Sequence, residues 1–430
     1  MQADVIIIGA GAAGLMAAKE LSEGGKKVIV LEARSRVGGR IHTITDDLFD
    51  HPIEGGAEFI HGDLPLTHQF LKKAGLRTYG ASGDLWQTRN GKLHLQEEFI
   101  EDEEALMQQL EQLEEDCTVA EFLQKHFAEP RYEALRSTLK NYVEGYYAGD
   151  LHKASTLALR DELQGGDGAD ERIEGGYGKL VHYLQQQCVQ QGCQFYFSTP
   201  VTSVHWQRGS VNINSNSSTS FSAARLLVTV PVGVLQAVPN APNYISFQPA
   251  IEAYTAAAKS LGFGGVIKVL LQFKTPFWRE SFGMQKMAFL FSEQSIPTWW
   301  TQHPQQSNLL TGWCAGPRAY AFKNLNDTEL FQKAVASLAG CFSLPTDEVG
   351  QQVTAWKVFN WAADAYTGGG YSYLTVESKA AIAQLSTPVE DTLFFAGEGL
   401  HNSTEIGTVE AALQSGQKAA QQVLQSFGNQ

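Results

Sequence analysis

Asp4-Val5-Ile6-Ile7-Ile8-Gly9-Ala10-Gly11-Ala12-Ala13-Gly14-Leu15 decides the fold of this chain. Four consecutive aliphatic residues, Val5 to Ile8, suit a strand buried on both faces of a parallel sheet, where neither side of the pleat meets water. Glycines at 9, 11 and 14 follow at once. The first permits a tight turn, the second lets a phosphate approach the backbone, and the third lets helix and strand pack closely. A helix-like stretch then runs to about Glu23, and a second apolar run, Lys27 to Leu31, leads to Glu32. Together these read as a βαβ unit whose helix N-terminus offers free N–H groups and a positive dipole end to a pyrophosphate. Glu32 stands where an acid accepts hydrogen bonds from a ribose. The unit predicts a dinucleotide site, but a nicotinamide enzyme would carry the same spacing.

Working outward, Ala33-Arg34-Ser35-Arg36-Val37-Gly38-Gly39-Arg40 forms a second glycine turn flanked by arginines, able to bring more N–H groups and guanidinium charge to a long cofactor. No second glycine motif of the first kind occurs, which speaks against reduction by a bound nicotinamide. From Pro65 to about Glu171 the pattern reads as helical and charged, with Phe99, Ile100, Leu106, Leu110 and Leu113 on one face of the acidic stretch Glu97 to Asp116. Gly175-Gly176-Tyr177-Gly178 precedes a helix predicted over Lys179 to Gln191. Short strands are predicted at 194–197, 201–206, 211–214 and 225–230, with the polar tract Asn214 to Ser220 as a hairpin tip. A strand over Gly264 to Phe273, a strand over Thr392 to Ala396 and a helix over Thr408 to Gln425 complete the pattern. The expected class is α/β plus α+β. A Rossmann-like domain would be assembled from residues 1–66, 172–258 and 385–430, and a second domain of mixed sheet and helices from 67–171 and 259–384. The ligand would lie where they meet.

The balance of 32 basic against 46 acidic residues, a formal −14 in 430 residues, argues against non-specific nucleic-acid binding and is compatible with a cationic substrate or with simple solubility. Five scattered cysteines, without a CxxC or Cys/His cluster, predict neither a disulfide framework nor a metal site, and fit a reducing, cytoplasmic setting. The first apolar run is too short for a signal peptide or a membrane span, and the tail after Gln417 is short and polar. A freely soluble protein without a membrane anchor is expected.

Eight stretches, DVIIIGAGAAGL, EARSRVGGR, EGGAEFIHG, TPVTSV, VTVPVGVL, IKVLLQFKTPFW, WAADAYTGGGYS and LFFAGEGL, occur in this order along the chain. In this the chain resembles the flavin-containing amine oxidase family, which includes monoamine oxidases, polyamine oxidases and flavin histone demethylases. The resemblance implies FAD. Gly9, Gly11, Gly14, Glu32, Ala33 and Arg34 would hold its adenosine diphosphate half, and Gly39 and Arg40 its middle. The Val201 backbone would meet adenine, although a buried strand valine would look the same. Gly55, Gly56, Ala57 and Glu58 would bring the chain close to the isoalloxazine edge, with Glu398 by the ribityl-pyrophosphate region. Thr408 and Val409 would begin a helix aimed at the flavin's carbonyl edge. Gly370 stands where monoamine oxidases carry the cysteine bonded to flavin, so the FAD would be non-covalent.

Lys268, inside the apolar run Val266 to Leu271, is either an ordinary solvent-facing strand residue or, as the resemblance implies, the lysine that holds a water near the reactive flavin nitrogen. Tyr371 matches one wall of the family's aromatic cage and Trp361 lies ten residues earlier, as in monoamine oxidases; both could equally be core. Thr408 stands where a second cage tyrosine would be, implying a half-open cage that admits longer amines. His61 falls where animal polyamine oxidases carry histidine and plant ones glutamate. The implied reaction takes hydride from the carbon beside the nitrogen of a primary or secondary amine, a polyamine among them. Water then hydrolyses the imine, and dioxygen accepts the electrons as hydrogen peroxide. The rivals are an amino-acid oxidase, a desaturase, a catalytically silent FAD-binding protein and a nicotinamide-dependent dehydrogenase. The first needs an arginine near the EGGA turn, where Glu58-Phe59-Ile60-His61 stands instead.

Overall fold

Strand β1 (Gln2–Ile8) leads through the glycine turn into helix α1 (Ala12–Glu23) and strand β2 (Val28–Leu31). The computed structural model describes residues 1–89, 91–96, 100–165, 170–216, 219–401 and 403–428. In it β1 is paired in parallel on both edges, with β2 on one side and the strand Phe221–Val228 on the other. Alternation then sorts the side chains. Val5, Ile7, Val28 and Val30 enter one core with α1, while Ile6, Ile8, Ile29 and Leu31 enter another on the opposite face. A strand covered on both faces needs an unbroken aliphatic run, and each such side chain, once buried, contributes about 1.5–3 kcal/mol.

The parallel set continues with Gln194–Tyr196 beyond β2 and Leu393–Phe395 beyond Phe221–Val228, so the sheet gathers both ends of the chain and its middle. Antiparallel strands Ser210–Ser215 and Val201–Gln207 extend it. The polar tract read as a hairpin tip does join two antiparallel strands; its Ser217 and Ser218 lie outside the described residues. On the sheet's face, α1 packs between helices Gly178–Gln190 and Val409–Gly428, sharing a core that includes Leu21, Leu184 and Val423. Fully buried Glu410 of the last helix accepts the N–H groups of Leu66 (2.9 Å) and Thr67 (2.7 Å), capping the helix Pro65–Lys73 that lacks a side-chain cap of its own.

A second, seven-stranded sheet runs in the order Val353–Asn360, Val266–Phe273, Leu309–Ala315, Thr298–Trp300, Met287–Phe291, Asp84–Arg89 and Lys92–Gln96. Every residue of Val266–Phe273 is buried. Ile267, Val269, Leu271 and Phe273 pack with Leu330, Ala334 and Leu338 of the helix Asp327–Phe342. On the other face, Leu270 packs with Phe49, Ile53 and Leu309. Lys268 shares that face, and its ordinary solvent-facing reading fails because the sheet is covered on both sides.

The stretch from Pro65 to Glu171 is not uniformly helical. Thr78–Gly80, Asp84–Arg89 and Lys92–Gln96 are strands, and the latter two form a hairpin that joins the second sheet against Met287–Phe291. The acidic helix spans only Glu103–Leu110, burying Leu106 and Leu110 with Ile100 nearby; Phe99 lies outside the described residues. Further along, Tyr142–Tyr146 forms a single π-helical turn. Such turns recur at functional sites.

Candidate active site

One cavity of about 770 Å³ begins at the glycine turn, on the carboxyl ends of the parallel strands, and runs to the second sheet. Of the residues singled out in the sequence, all line it except Gly14 and Gly55.

At its first end the three glycines have three separate causes. Gly9 adopts φ +107°, which L side chains rarely reach. A Cβ on Gly14 would lie 2.0 Å from the Gly9 carbonyl oxygen, so packing alone demands glycine there. Gly11 differs: its backbone is extended (φ −77°, ψ −177°), and a Cβ would meet no protein atom within 4 Å. Nothing in the protein requires glycine at this place in the cavity wall, which is what a site built for close approach of a phosphate would show. Glu32 accepts the N–H groups of Ala10 and Arg34, each at 2.8 Å, and so ties the two glycine turns together at the cavity edge. Arg34 is paired with Asp364 at 2.5 Å. Ala33 lines the wall beside them, and Val201 opens its strand next to Thr199 and Pro200.

In the middle, Arg40 donates to Glu398 (2.6 Å) and to the Gly370 carbonyl (2.7 Å), and Glu398, 5% exposed, also accepts from Ser372. A Cβ on Gly370 would come within 2.3 Å of the Val266 side chain, so a cysteine does not fit there without rearrangement. Gly56 sits tight against the Arg40 carbonyl, and Ala57 follows it along the wall. Gly55 lies behind the wall under the Phe359 ring, and its carbonyl accepts the Trp361 indole N–H at 2.7 Å. The Thr408 hydroxyl accepts the Ala411 N–H at 3.1 Å, so Thr408 caps the last helix, whose first residue Val409 is in the wall. That helix presents its positive end to the cavity.

At the far end Lys268 is fully buried. Its Nζ donates to Glu58 Oε2 (2.7 Å) and to the Gly56 carbonyl (3.3 Å), and lies 5.2 Å from the Trp300 ring centroid. Glu58 Oε1 in turn accepts from Arg172 Nε (3.0 Å), Trp300 Nε1 (3.1 Å) and Gln302 Nε2 (3.2 Å). Burial pushes this carboxyl up, but the neighbouring charges of Lys268 and Arg172, with hydrogen bonds from Lys268 and Gln302, outweigh it and hold it at about 2. Glu58 therefore stays ionised, and its oxygens are committed to protein donors. Of the three ammonium hydrogens on Lys268 one remains for the cavity.

Tyr371 stands against Trp313 with ring centroids 6.3 Å apart and planes 19° from parallel. The π-helical turn holds both rings. Trp313 Nε1 donates to the Gly145 carbonyl at 2.9 Å, and the Tyr371 hydroxyl donates to the Tyr146 carbonyl. Burial, and secondarily the charge of Glu162, raise the pKa of the Tyr371 phenol. Trp361 is buried behind Gly55 and also touches the cavity. His61 lies in the same wall, its Nδ1 2.7 Å from Asp170 Oδ1.

Trp300, Trp313, Arg172, Asp170 and Tyr146 were not anticipated. For the tryptophans a signal existed. In the aromatic run Trp299-Trp300 strand alternation sends one ring to the core and the other to the cavity. For Arg172 and Asp170 none did, because their partners are more than a hundred positions away. Arg172 also revises the argument against an amino-acid oxidase. An arginine does stand beside the EGGA turn, but its guanidinium is spent on Glu58 and on the carbonyls of Thr301 (2.9 Å) and His303 (3.2 Å). Among the described residues no group of three or more acidic, histidine or cysteine side chains could hold a metal ion, and no helix is long and apolar enough to cross a membrane.

The sequence profile described as flavin containing amine oxidoreductase matches residues 12–138 and 86–424. Polyamine oxidase 4 of Oryza sativa subsp. japonica is 28% identical over 97% of this chain and 87% of its own length. Lysine-specific histone demethylase 2 of Homo sapiens is 26% identical over 97% of this chain, which corresponds to 53% of that protein. Among solved structures, wild-type putrescine oxidase bound to putrescine superposes with a TM-score of 0.79 at 21% identity, and cyclohexylamine oxidase from Brevibacterium oxydans IH-35A does the same, each over 99% of both chains. These two share the fold. The profile covers nearly the whole chain, and on that ground the chain belongs to the flavin containing amine oxidoreductase family.

Proposed function

We propose that the chain is an FAD-dependent amine oxidase acting on the CH–NH or CH–NH2 group of a primary or secondary amine, polyamines included. Dioxygen is the acceptor, and imine and hydrogen peroxide are the products. The observation that carries this reading is the burial of Lys268 in the wall of the same cavity that starts at the Gly9–Gly14 turn. A cation inside a sheet covered on both faces costs stability unless paired, and its placement there, with one donor to spare, favours a working role over packing.

The residues fit FAD. The Gly11 backbone and the first N–H groups of α1 would take the pyrophosphate, Glu32 the ribose, Val201 the adenine edge, and Arg40 with Glu398 the middle of the cofactor. The crowding at Gly370 supports non-covalent attachment. When bound, a flavin supplies the two-electron acceptor that takes hydride from the carbon beside the amine. The chain's own contribution is placement. Tyr371 and Trp313 offer aromatic faces to a cationic or neutral amine and exclude water, and the positive end of the last helix stabilises negative charge in the cavity. Residues 1–66, 172–258 and 385–430 would form the FAD domain and 67–171 with 259–384 the substrate domain. A reducing, cytoplasmic setting is supported by the five free cysteines. The committed guanidinium of Arg172 disfavours an amino-acid oxidase, which needs a free cation for the carboxylate.

Purified protein should be yellow, and denaturation should release FAD rather than leave it attached. Anaerobic mixing with a panel of mono-, di- and polyamines should bleach the flavin, and aerobic turnover should release hydrogen peroxide. A preparation that takes up no flavin, or whose flavin no amine bleaches, would end this reading.

A further inference from the structure

Arg318 lines the cavity from the first turn of the short helix Gly316–Phe322 and takes no part in the geometry described so far. Its Nη1 donates to the Gln294 carbonyl at 2.6 Å, which ties it to the turn before the strand Thr298–Trp300. Among the described residues it makes no salt bridge and no other hydrogen bond, so Nε and Nη2 keep their donors. Glu144, in the π-helical turn, stands in the same wall, and its carboxylate likewise makes no hydrogen bond to a described residue.

The backbone brings these two side chains to one corner. Gly316, at φ +65°, lies so close to the π-helical turn that a Cβ on it would be 2.9 Å from the Glu144 carbonyl oxygen. Burial raises the Glu144 pKa, and the charges of Lys140 and Arg318 oppose it. Opposite charges that face one cavity without pairing with each other are both left for a ligand carrying the complementary pair.

We propose that Arg318 and Glu144 form a subsite for a zwitterionic head group, and that the substrate is a diamino acid oxidised at its side-chain amine. Arg318 holds the α-carboxylate through Nε and Nη2, Glu144 holds the α-ammonium, and the side-chain amine reaches the Tyr371–Trp313 pair. Glu144 and Tyr146, whose carbonyl accepts the Tyr371 hydroxyl, are two residues apart, at most about 7 Å between Cα atoms. The three or four methylenes of ornithine or lysine suit that reach. The assignment rests on the amine-oxidase reading and names its substrate class. It does not make the chain an α-amino-acid oxidase, because Arg318 lies beyond Trp313, the register partner of Lys268, and is anchored on Gln294 rather than on Glu58. The carbon bearing the side-chain amine gives hydride to the flavin and the nitrogen gives up a proton. Water then releases ammonia and leaves an aldehyde, and dioxygen takes the two electrons as hydrogen peroxide.

L-Lysine, its methyl ester and cadaverine share the terminal amine and differ in the carboxylate, so the wild-type holoenzyme tests the subsite without a variant. Its kcat/KM for L-lysine should exceed that for the ester and for cadaverine by about 10–100-fold. R318Q should lower kcat/KM for L-lysine by a similar factor and raise it for cadaverine, because a cation facing the second ammonium is gone; a packing defect would lower both. E144Q should lower both, and R318K, which keeps the charge without the fork, should fall between R318Q and the wild type. The lysine product should be an aldehyde that retains the α-amino acid.

An ester as good as the free acid, equal losses with lysine and cadaverine in R318Q, or a 2-oxo acid as product would each overturn the assignment. If no amine bleaches the wild-type flavin, calorimetric titration of L-lysine into wild type and R318Q decides the subsite separately. Binding that weakens about 10-fold or more in R318Q would keep it while the oxidase reading falls; equal binding, or none, would end both.

Discussion

Replacing Lys268 by methionine removes one charge from a buried cluster while keeping most of the packing. Glu58 is held at about 2 against an ordinary 4.5, a difference of about 3 kcal/mol between its two protonation states. The sign follows from linkage. A carboxyl whose folded value lies below its unfolded one stabilises the fold at pH above about 4.5, and that stabilisation is lost as pH falls towards 2. Lys268 contributes a hydrogen bond at 2.7 Å and the largest single favourable charge, with the Arg172 charge and a hydrogen bond from Gln302 adding to it. Removing a charge-assisted partner of this kind should cost about 1.5–3 kcal/mol at pH 7. With an unfolding entropy of about 2 cal/mol/K per residue, a chain of 430 residues should lose about 2–3 °C in Tm. The measurement is calorimetric melting of both proteins in steps from pH 7 to the acid unfolding limb. The gap should be widest near neutrality and close as Glu58 protonates in both. A gap that does not vary with pH, or a variant as stable as the wild type at pH 7, would refute the claim that this ion pair is charged and stabilising.

The glycine turn offers a contrast between two neighbouring alanines. Gly11→Ala should leave the melting of cofactor-free protein unchanged or raise it by up to about 1 kcal/mol, because the position is extended and uncrowded, yet weaken FAD retention by about 10-fold or more on gel filtration. Gly14→Ala should instead destabilise the protein itself by about 2–4 kcal/mol, since its Cβ would lie 2.0 Å from a carbonyl oxygen. Glu54 moves the opposite way to Glu58. Burial pushes it up to about 7, against hydrogen bonds from the Tyr177 N–H and the Thr43 hydroxyl. Its contribution is thus fully present below about pH 4.5 and lost as pH rises through 7, and Glu54→Gln should gain stability relative to wild type by about 2–3 kcal/mol between pH 5 and pH 8 in denaturant melts.

Much of the first sheet was legible because its evidence is local. Val5 to Ile8, the glycine spacing and Glu32 all lie between positions 5 and 32, and each residue type answers a geometric demand of that unit. The misreading of 78–96 as helical has an equally physical cause. The hairpin is charged and short, and its edge pairs with Met287–Phe291, some two hundred positions away. A cue was present in Asn90-Gly91, the dipeptide that most favours a two-residue hairpin turn. The single lysine in an apolar strand pointed to Lys268, but the burial of both sheet faces, not the alternation, decided that it meets Glu58 rather than water.

By itself the sequence determined the βαβ unit with its glycine turn, and it singled out Lys268, Tyr371 and His61 as candidates, since backbone preference and periodicity act between near neighbours. Tertiary structure decided what these residues face. Glu58 is shared between Lys268 and Arg172, Asp170 meets His61 across two strands, and one π-helical turn holds Trp313 and Tyr371. Hydrogen bonds and charge pairs act over about 3 Å in space regardless of separation along the chain, so which groups pair is written only in the folded arrangement of the strands that carry them.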